Sequence, residues 1–79
     1  MAKNKQLVSK LTIMRVSRGF SQGELAEACG VDRSTLSLYE HGKRKMGLEN
    51  ATKIARALRC PVESISGFVS TARNTVTKP

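Results

Sequence analysis

The residues of this 79-residue chain that are equipped for chemistry are mostly cations and hydrogen-bond donors. Lys43, Arg44 and Lys45 stand in one run, next to the single histidine, His41. Arg33, Ser34 and Ser37 precede them at spacings that fall on one side of a helix, and Gln22 lies upstream. Side chains of this kind bind polyanions: lysine and arginine neutralise phosphates, and arginine also forms bidentate bonds to a guanine edge. Catalytic chemistry is excluded on the same inventory. One histidine, no paired carboxylates and no glycine-rich phosphate cradle leave no nucleophile, base or acid set, so no enzyme and no cofactor are expected. Cys29 and Cys60 lie among apolar residues, and neither has a partner at metal-ligand spacing. Both are expected as reduced thiols packed in a core, with no metal site.

The charge is unevenly placed. The formal net charge is +8. Residues 1–20 hold Lys3, Lys5, Lys10, Arg15 and Arg18 and no acid, whereas residues 21–40 hold Glu24, Glu27, Asp32 and Glu40 against Arg33 alone. Positive charge returns with Lys43, Arg44, Lys45, Lys53, Arg56 and Arg59. Two separated basic segments form the footprint of a polyanion binder; a solvated face that keeps a small protein dissolved is the plainer alternative. A chain this short holds one domain with a small core. It contains no apolar run long enough for a membrane span and no signal-peptide pattern, so a cytoplasmic location without membrane contact is expected.

The elements that position these side chains follow from periodicity and caps. Leu7, Val8, Leu11 and Met14 recur at helical spacing between Lys5 and Arg18, and Gly19 ends that helix. Ser21 with Glu24 forms a capping box for a second helix, whose inner face is Leu25, Ala26 and Cys29 and which stops at Gly30. Asp32 caps a third helix, with Leu36 and in part Tyr39 inward, ending at Gly42. A fourth spans Leu48 to Leu58, with Gly47 as N-cap and Leu48, Ala51, Ile54, Ala55 and Leu58 on one face. Pro61 opens a short fifth helix through Ser66 that buries Val62 and Ile65. The fold class predicted is all-α, a compact five-helix bundle. Its divisions are a basic arm over residues 1–6, a domain over 7–66 and a polar tail over 67–79, frayed or part of a dimer contact.

The second and third helices are separated only by Gly30, Val31 and Asp32. Two short helices joined by so tight a turn make a helix-turn-helix, whose second helix presents its N-terminal residues to the DNA major groove. Ala26 is small enough for close approach, and Gly30 can take the left-handed backbone the turn needs.

Three stretches carry a wider likeness: RxxxGFSQxELA over Arg15–Ala26, GVDxSTLSxYExG over Gly30–Gly42, and LExAxKIAxAL over Leu48–Leu58. Together they resemble the Xre/Cro type of helix-turn-helix protein, the family of phage repressors, Cro proteins and restriction-modification controllers, over roughly residues 7–66. That resemblance implies a five-helix domain binding double-stranded operator DNA as a homodimer. It implies base contacts from Asp32, Arg33, Ser34, Ser37 and Leu38, and backbone contacts from Gln22, His41, Lys43, Arg44 and Lys45. It also implies a buried ion pair between Arg15 and Glu40. On their own chemistry, Arg33 can reach a guanine or a phosphate, and Leu38 can meet a thymine methyl or lie on plain surface. Asp32 is foremost a cap, and a base contact from it would go to cytosine N4.

The chain departs from the family pattern at three places. Met46 and Gly47 replace the usual Pro-Ser, Arg59 stands where glycine closes the fourth helix, and Pro61 takes the place of a small polar cap. Arg59 therefore takes a strained left-handed backbone, or that helix ends differently. Val62, Ile65, Phe68 and Val69 exceed what a fifth helix must bury; one or two are expected in the core, and the rest meet a two-fold partner or fold back on the monomer. The expected function is a sequence-specific regulator, most simply a repressor that occludes a promoter. An acidic patch at Glu24 and Glu27 leaves contact with RNA polymerase open. The alternative is an antitoxin that binds operator DNA and also a toxin.

Overall fold

The computed structural model describes residues 7–70. A short strand, β1 (Leu7–Ser9), leads into four α-helices: α1 (Lys10–Ser17), α2 (Gln22–Cys29), α3 (Arg33–Glu40) and α4 (Leu48–Leu58). A 3₁₀ turn (Val62–Ser64) then carries the chain to β2 (Phe68–Ser70), antiparallel to β1. Among the described residues the fold is mostly helical, with four α-helices and a two-stranded sheet rather than an all-α bundle of five. The basic arm 1–6, with Lys3 and Lys5, and tail residues 71–79 lie outside the described residues.

Both corrections have a physical cause. Ser9 is the N-cap of α1: its backbone is extended and its hydroxyl accepts a bond from the Thr12 amide at 2.9 Å. A cap residue sits outside the helix it caps. Helix α1 therefore starts at Lys10, not near Lys5, and Leu7 and Val8 are left extended. They find a partner at the other end of the domain. Leu7 pairs with Ser70, Val8 with Val69 and Ser9 with Phe68, and the Lys10 amide adds a bond to the Gly67 carbonyl at 2.9 Å. The expected fifth helix is cut to one 3₁₀ turn. Ile65 drops into the core and Gly67, with φ of +92°, redirects the chain into β2.

Leu11, Leu25, Leu36, Ile54, Leu58 and Ile65 form the fully buried centre, with Cys29, Val31, Tyr39 and Ala55 around them. Each such aliphatic side chain removed from water contributes roughly 1.5–3 kcal/mol. Leu48 is not among them. It is 78% exposed, because it occupies the first position of α4, before that helix reaches the core at Ala51. Leu7, outside any helix, is also exposed, and the outer side of α1 shows Ile13 and Val16 between its basic residues.

Helix ends are fixed by bonds of both short and long range. Ser21 and Glu24 close the capping box: the Glu24 amide donates to the Ser21 hydroxyl, and the Ser21 amide donates to the Glu24 carboxylate. Helix α4 ends on Arg59 in the left-handed region (φ 57°, ψ 49°), at a cost of about 1 kcal/mol for a residue with a Cβ. The Leu58 carbonyl left over there accepts a bond from Arg18 Nε at 2.8 Å. The two cysteines are free thiols packed on or in the core, and burial pushes the Cys60 thiol up against an opposing pull from Arg18.

Candidate nucleic-acid interface

The bend between α2 and α3 sets the direction of everything beyond it. Gly30 adopts φ 76° and ψ 23°, and its amide still bonds the Ala26 carbonyl at 2.9 Å, so the chain turns within one residue of the last turn of α2. Val31 is buried beneath the turn and Leu36 is wholly buried behind it. Asp32 occupies the N-cap position of α3, and its carbonyl accepts from the Leu36 amide. Its side chain, however, makes no capping bond, contrary to the role expected for it, and the residue is exposed beside the first turn.

Successive helical positions advance about 100°. On α3 that rule puts Leu36, Tyr39 and Glu40 on the inner side, where all three are buried. Arg33, Ser34, Ser37 and Leu38 fall on the outer side, the first two exposed and the last two half-buried. Ser37 is engaged locally, since His41 Nδ1 lies 2.8 Å from the Ser37 carbonyl and 3.4 Å from its hydroxyl. A carbonyl only accepts, so Nδ1 carries the proton and Nε2 is the nitrogen left for another group. Gly42 turns the chain at φ +72°, and the Lys43 amide bonds the Leu38 carbonyl at 2.9 Å. The basic run is thus anchored by its backbone to the end of α3, with Lys43, Arg44 and Lys45 all exposed. Among the described residues, neither these three nor Arg33 enters an ion pair.

The inner side of α3 is tied down by a buried polar network. Arg15 on α1 meets Glu40 with two bonds, Nε to Oε2 at 2.7 Å and Nη2 to Oε1 at 3.2 Å, and its Nη1 donates to the Phe20 carbonyl. Gln22 Nε2 adds a bond to Glu40 Oε1 at 3.1 Å. The Arg15 and Glu40 side chains are 14% and 5% exposed. Burial alone would raise the Glu40 pKa. Bonds from Arg15, Gln22 and Thr12, with the arginine charge, outweigh burial and hold the carboxyl below its ordinary 4.5. Three segments, α1, the start of α2 and the last residue of α3, therefore meet at one carboxylate. On the same side the Tyr39 hydroxyl accepts a bond from Asn50 of α4.

Of the apolar set expected at a two-fold contact, Ile65 is a core residue at 1% exposure and Val62 is half-buried against the core. Their burial removes Ile65 from any surface contact and leaves Phe68 and Val69, which project from opposite faces of β2. Sequence reasoning also missed Arg18, Thr12 and Asn50. Arg18 bonds a carbonyl 40 residues away, and no local pattern announces such a partner. Among the described residues no cluster of three His, Cys, Asp or Glu side chains is placed to hold a metal ion.

Comparison with known proteins agrees with this geometry. A family model described as Helix-turn-helix matches residues 11–65. The chain is 40% identical over 52 residues to a hypothetical transcription factor of Neisseria meningitidis, covering 66% of this chain and 49% of that one. It is 33% identical over 57 residues to the cryptic phage CTXphi transcriptional repressor RstR of Vibrio cholerae, covering 72% and 51%. The chain thus spans about half the length of these relatives. Among solved structures it resembles the restriction-modification controller protein C.AhdI of Aeromonas hydrophila, with a TM-score of 0.67, 36% identity and coverage of 70% and 83%. It also resembles the biofilm master regulator SinR, solved in complex with DNA, with a TM-score of 0.66, 28% identity and coverage of 70% and 92%.

Proposed function

The chain belongs to the helix-turn-helix family, and from that premise we propose that it binds operator DNA through α3 and represses transcription as a homodimer. One observation carries the reading: among the described residues the outer side of α3 and the basic loop after it keep their cations out of internal ion pairs, on a helix whose inner side is locked. Arg33 stands at the first position of α3, the end from which a recognition helix contacts base edges, and forms the bidentate contact to guanine O6 and N7. Ser34, Ser37 and Leu38 line the same arc, Leu38 against a thymine methyl. Asp32, with its carboxylate uncapped, accepts from cytosine N4.

Gln22, His41, Lys43, Arg44 and Lys45 grip the sugar-phosphate backbone. The lysines and arginine supply sequence-independent affinity by releasing counterions. Two copies related by a two-fold axis would present two α3 helices about 34 Å apart, to a palindromic site. Repression needs nothing more than occupancy, because bound protein and polymerase cannot share one stretch of duplex. The phage repressor RstR among the relatives and the DNA complex of SinR support this assignment.

Selection from a random duplex library at about 150 mM salt tests it, with affinities measured for enriched and scrambled duplexes. The expected result is an enriched palindrome bound at least about a thousandfold more tightly than control. Weak binding without an enriched motif, fading steeply with salt, would reduce the basic face to a general electrostatic surface.

A further inference from the structure

A groove of about 690 Å³ opens between the loop after α3, the start of α4 and the strand pair. Sites for small molecules commonly enclose about 300–1,000 Å³. The floor of this one is apolar, with Leu11, Ala51, Val62 and Ile65, and Leu48 and the Phe68 ring stand at its sides. Arg44 and Lys45 also line it; among the described residues no acid does, and neither cation enters an ion pair. The other polar side chains of the lining are already bonded. Ser9 accepts from the Thr12 amide, the Tyr39 hydroxyl accepts from Asn50 at 2.8 Å, and the Ser66 hydroxyl donates to the Val62 carbonyl at 2.9 Å.

These features select the occupant. A polar group buried without a bond is costly, so a floor whose hydroxyls are taken favours an apolar body over a sugar, a nucleobase or a peptide backbone. Two cations outside ion pairs call for an anionic head, and a guanidinium meets a carboxylate with two parallel bonds. We propose that the groove binds a small amphipathic carboxylate. Its apolar body lies on Leu11, Ala51, Val62 and Ile65 against Phe68, and its carboxylate takes paired bonds from Arg44 with Lys45 beside it.

The regulatory consequence rests on the duplex-binding reading above, which assigns Arg44 and Lys45 to phosphate. A carboxylate that holds them withdraws them from the duplex, and each ligand weakens the other by the same factor. Phe68 adds a second link. Its ring lies so close to Gly42 that a Cβ there would be 3.1 Å from Cζ, and Gly42 is the turn from α3 into the basic run. The wall that the apolar body touches is therefore also the wall against which that turn is packed.

The test is titration of the full chain, first without DNA, with decanoate and with phenylbutyrate, an aliphatic and an aromatic body on the same head. Calorimetry and amide NMR follow it at constant total salt. Acetate controls for the head alone, and decyltrimethylammonium for the chain alone. At least one of the two carboxylates should bind once per chain, with Kd below about 1 mM, and shift the amides of Gly42, Arg44, Lys45 and Gly67. Decyltrimethylammonium on the native chain, and the carboxylate on the double variant Arg44→Gln with Lys45→Gln, should bind at least about 10-fold more weakly. Ser66→Trp fills the groove from an exposed position and should lose binding with its thermal melt unchanged. Absence of binding, equal binding of the cationic amphiphile, or a native response from either variant overturns the proposal; the first hands the groove to a macromolecular partner. The same carboxylate at saturation should then weaken affinity for the enriched duplex at least about 5-fold, and acetate at equal concentration should not. Unchanged duplex affinity overturns the regulatory role and leaves the site; carboxylate binding by a chain that selects no duplex sinks the DNA reading alone.

Discussion

The two sides of α3 differ in where their polar groups are satisfied. On the inner side Glu40 receives bonds from Arg15 and Gln22, and Tyr39 receives one from Asn50. On the outer side, among the described residues, Arg33 joins no ion pair and Asp32 makes no capping bond; the exposed cations of the following loop are likewise out of ion pairs there. The contrast teaches what makes a short helix a reading head. Eight residues are too few to hold a helix rigid by themselves, so its pose must come from tertiary bonds on one side. On the other side Arg33 and the loop cations are then available to an external ligand without first breaking an ion pair among the described residues.

The contrast is broken most severely at Glu40. Glu40→Ala leaves the half-enclosed Arg15 charge without its carboxylate and is expected to cost about 3–5 kcal/mol in urea unfolding. Replacing both partners by apolar residues of similar size, Arg15→Met with Glu40→Leu, should recover most of that loss; a double variant as unstable as the single one would deny that the orphaned charge is the cause.

Acid probes the same bond without mutation. The Glu40 carboxyl titrates lower folded than unfolded, so its stabilisation is fully present above its ordinary 4.5 and is lost as pH falls through the lowered folded value. Glu40→Gln should flatten that part of the stability–pH curve. A native curve with no fall below pH 4.5 would remove the pairing from the ledger of acid sensitivity.

Changes on the outer side should leave melting untouched and alter binding. Arg33→Ala should relax preference at one base pair by about 1–3 kcal/mol, read from a panel of single-base variants of the enriched duplex. A uniform loss across the panel would move Arg33 to a phosphate. Changing Lys43, Arg44 and Lys45 together to alanine should weaken all duplexes alike, and flatten the slope of log affinity against log salt by about 0.9 for each contact removed. The smallest effect lies away from both sides: Arg59→Gly relieves the left-handed backbone and should raise stability by about 1 kcal/mol in the same urea titration.

Much of the frame was legible because its determinants are local. Ser21 and Glu24 are three residues apart, and Gly30 needs no neighbour to permit its backbone. Leu25, Leu36, Ile54 and Leu58 announce their burial by spacing within one helix. The residues that misled do so for a common reason. Leu48 continues the apolar stripe of α4 but precedes the point where that helix meets the core. Leu7 and Val8 continue the stripe of α1, but Ser9 takes the capping position between them and the helix. Periodicity measures which face a side chain shares, and not whether another element is there to cover it.

The sequence alone therefore determined the helix-turn-helix, its tight Gly30 bend, the inner residues of α2 to α4 other than Leu48, and the outward set on α3, since each depends on bonds or angles spanning a few residues. Tertiary structure decided the pairing of Leu7–Ser9 with Phe68–Ser70, the descent of Ile65 into the core, the bond from Arg18 to the Leu58 carbonyl and the groove beside Leu48. These join residues tens of positions apart. Their energies come from water excluded and polar groups matched only once the chain has closed on itself, which no local pattern encodes.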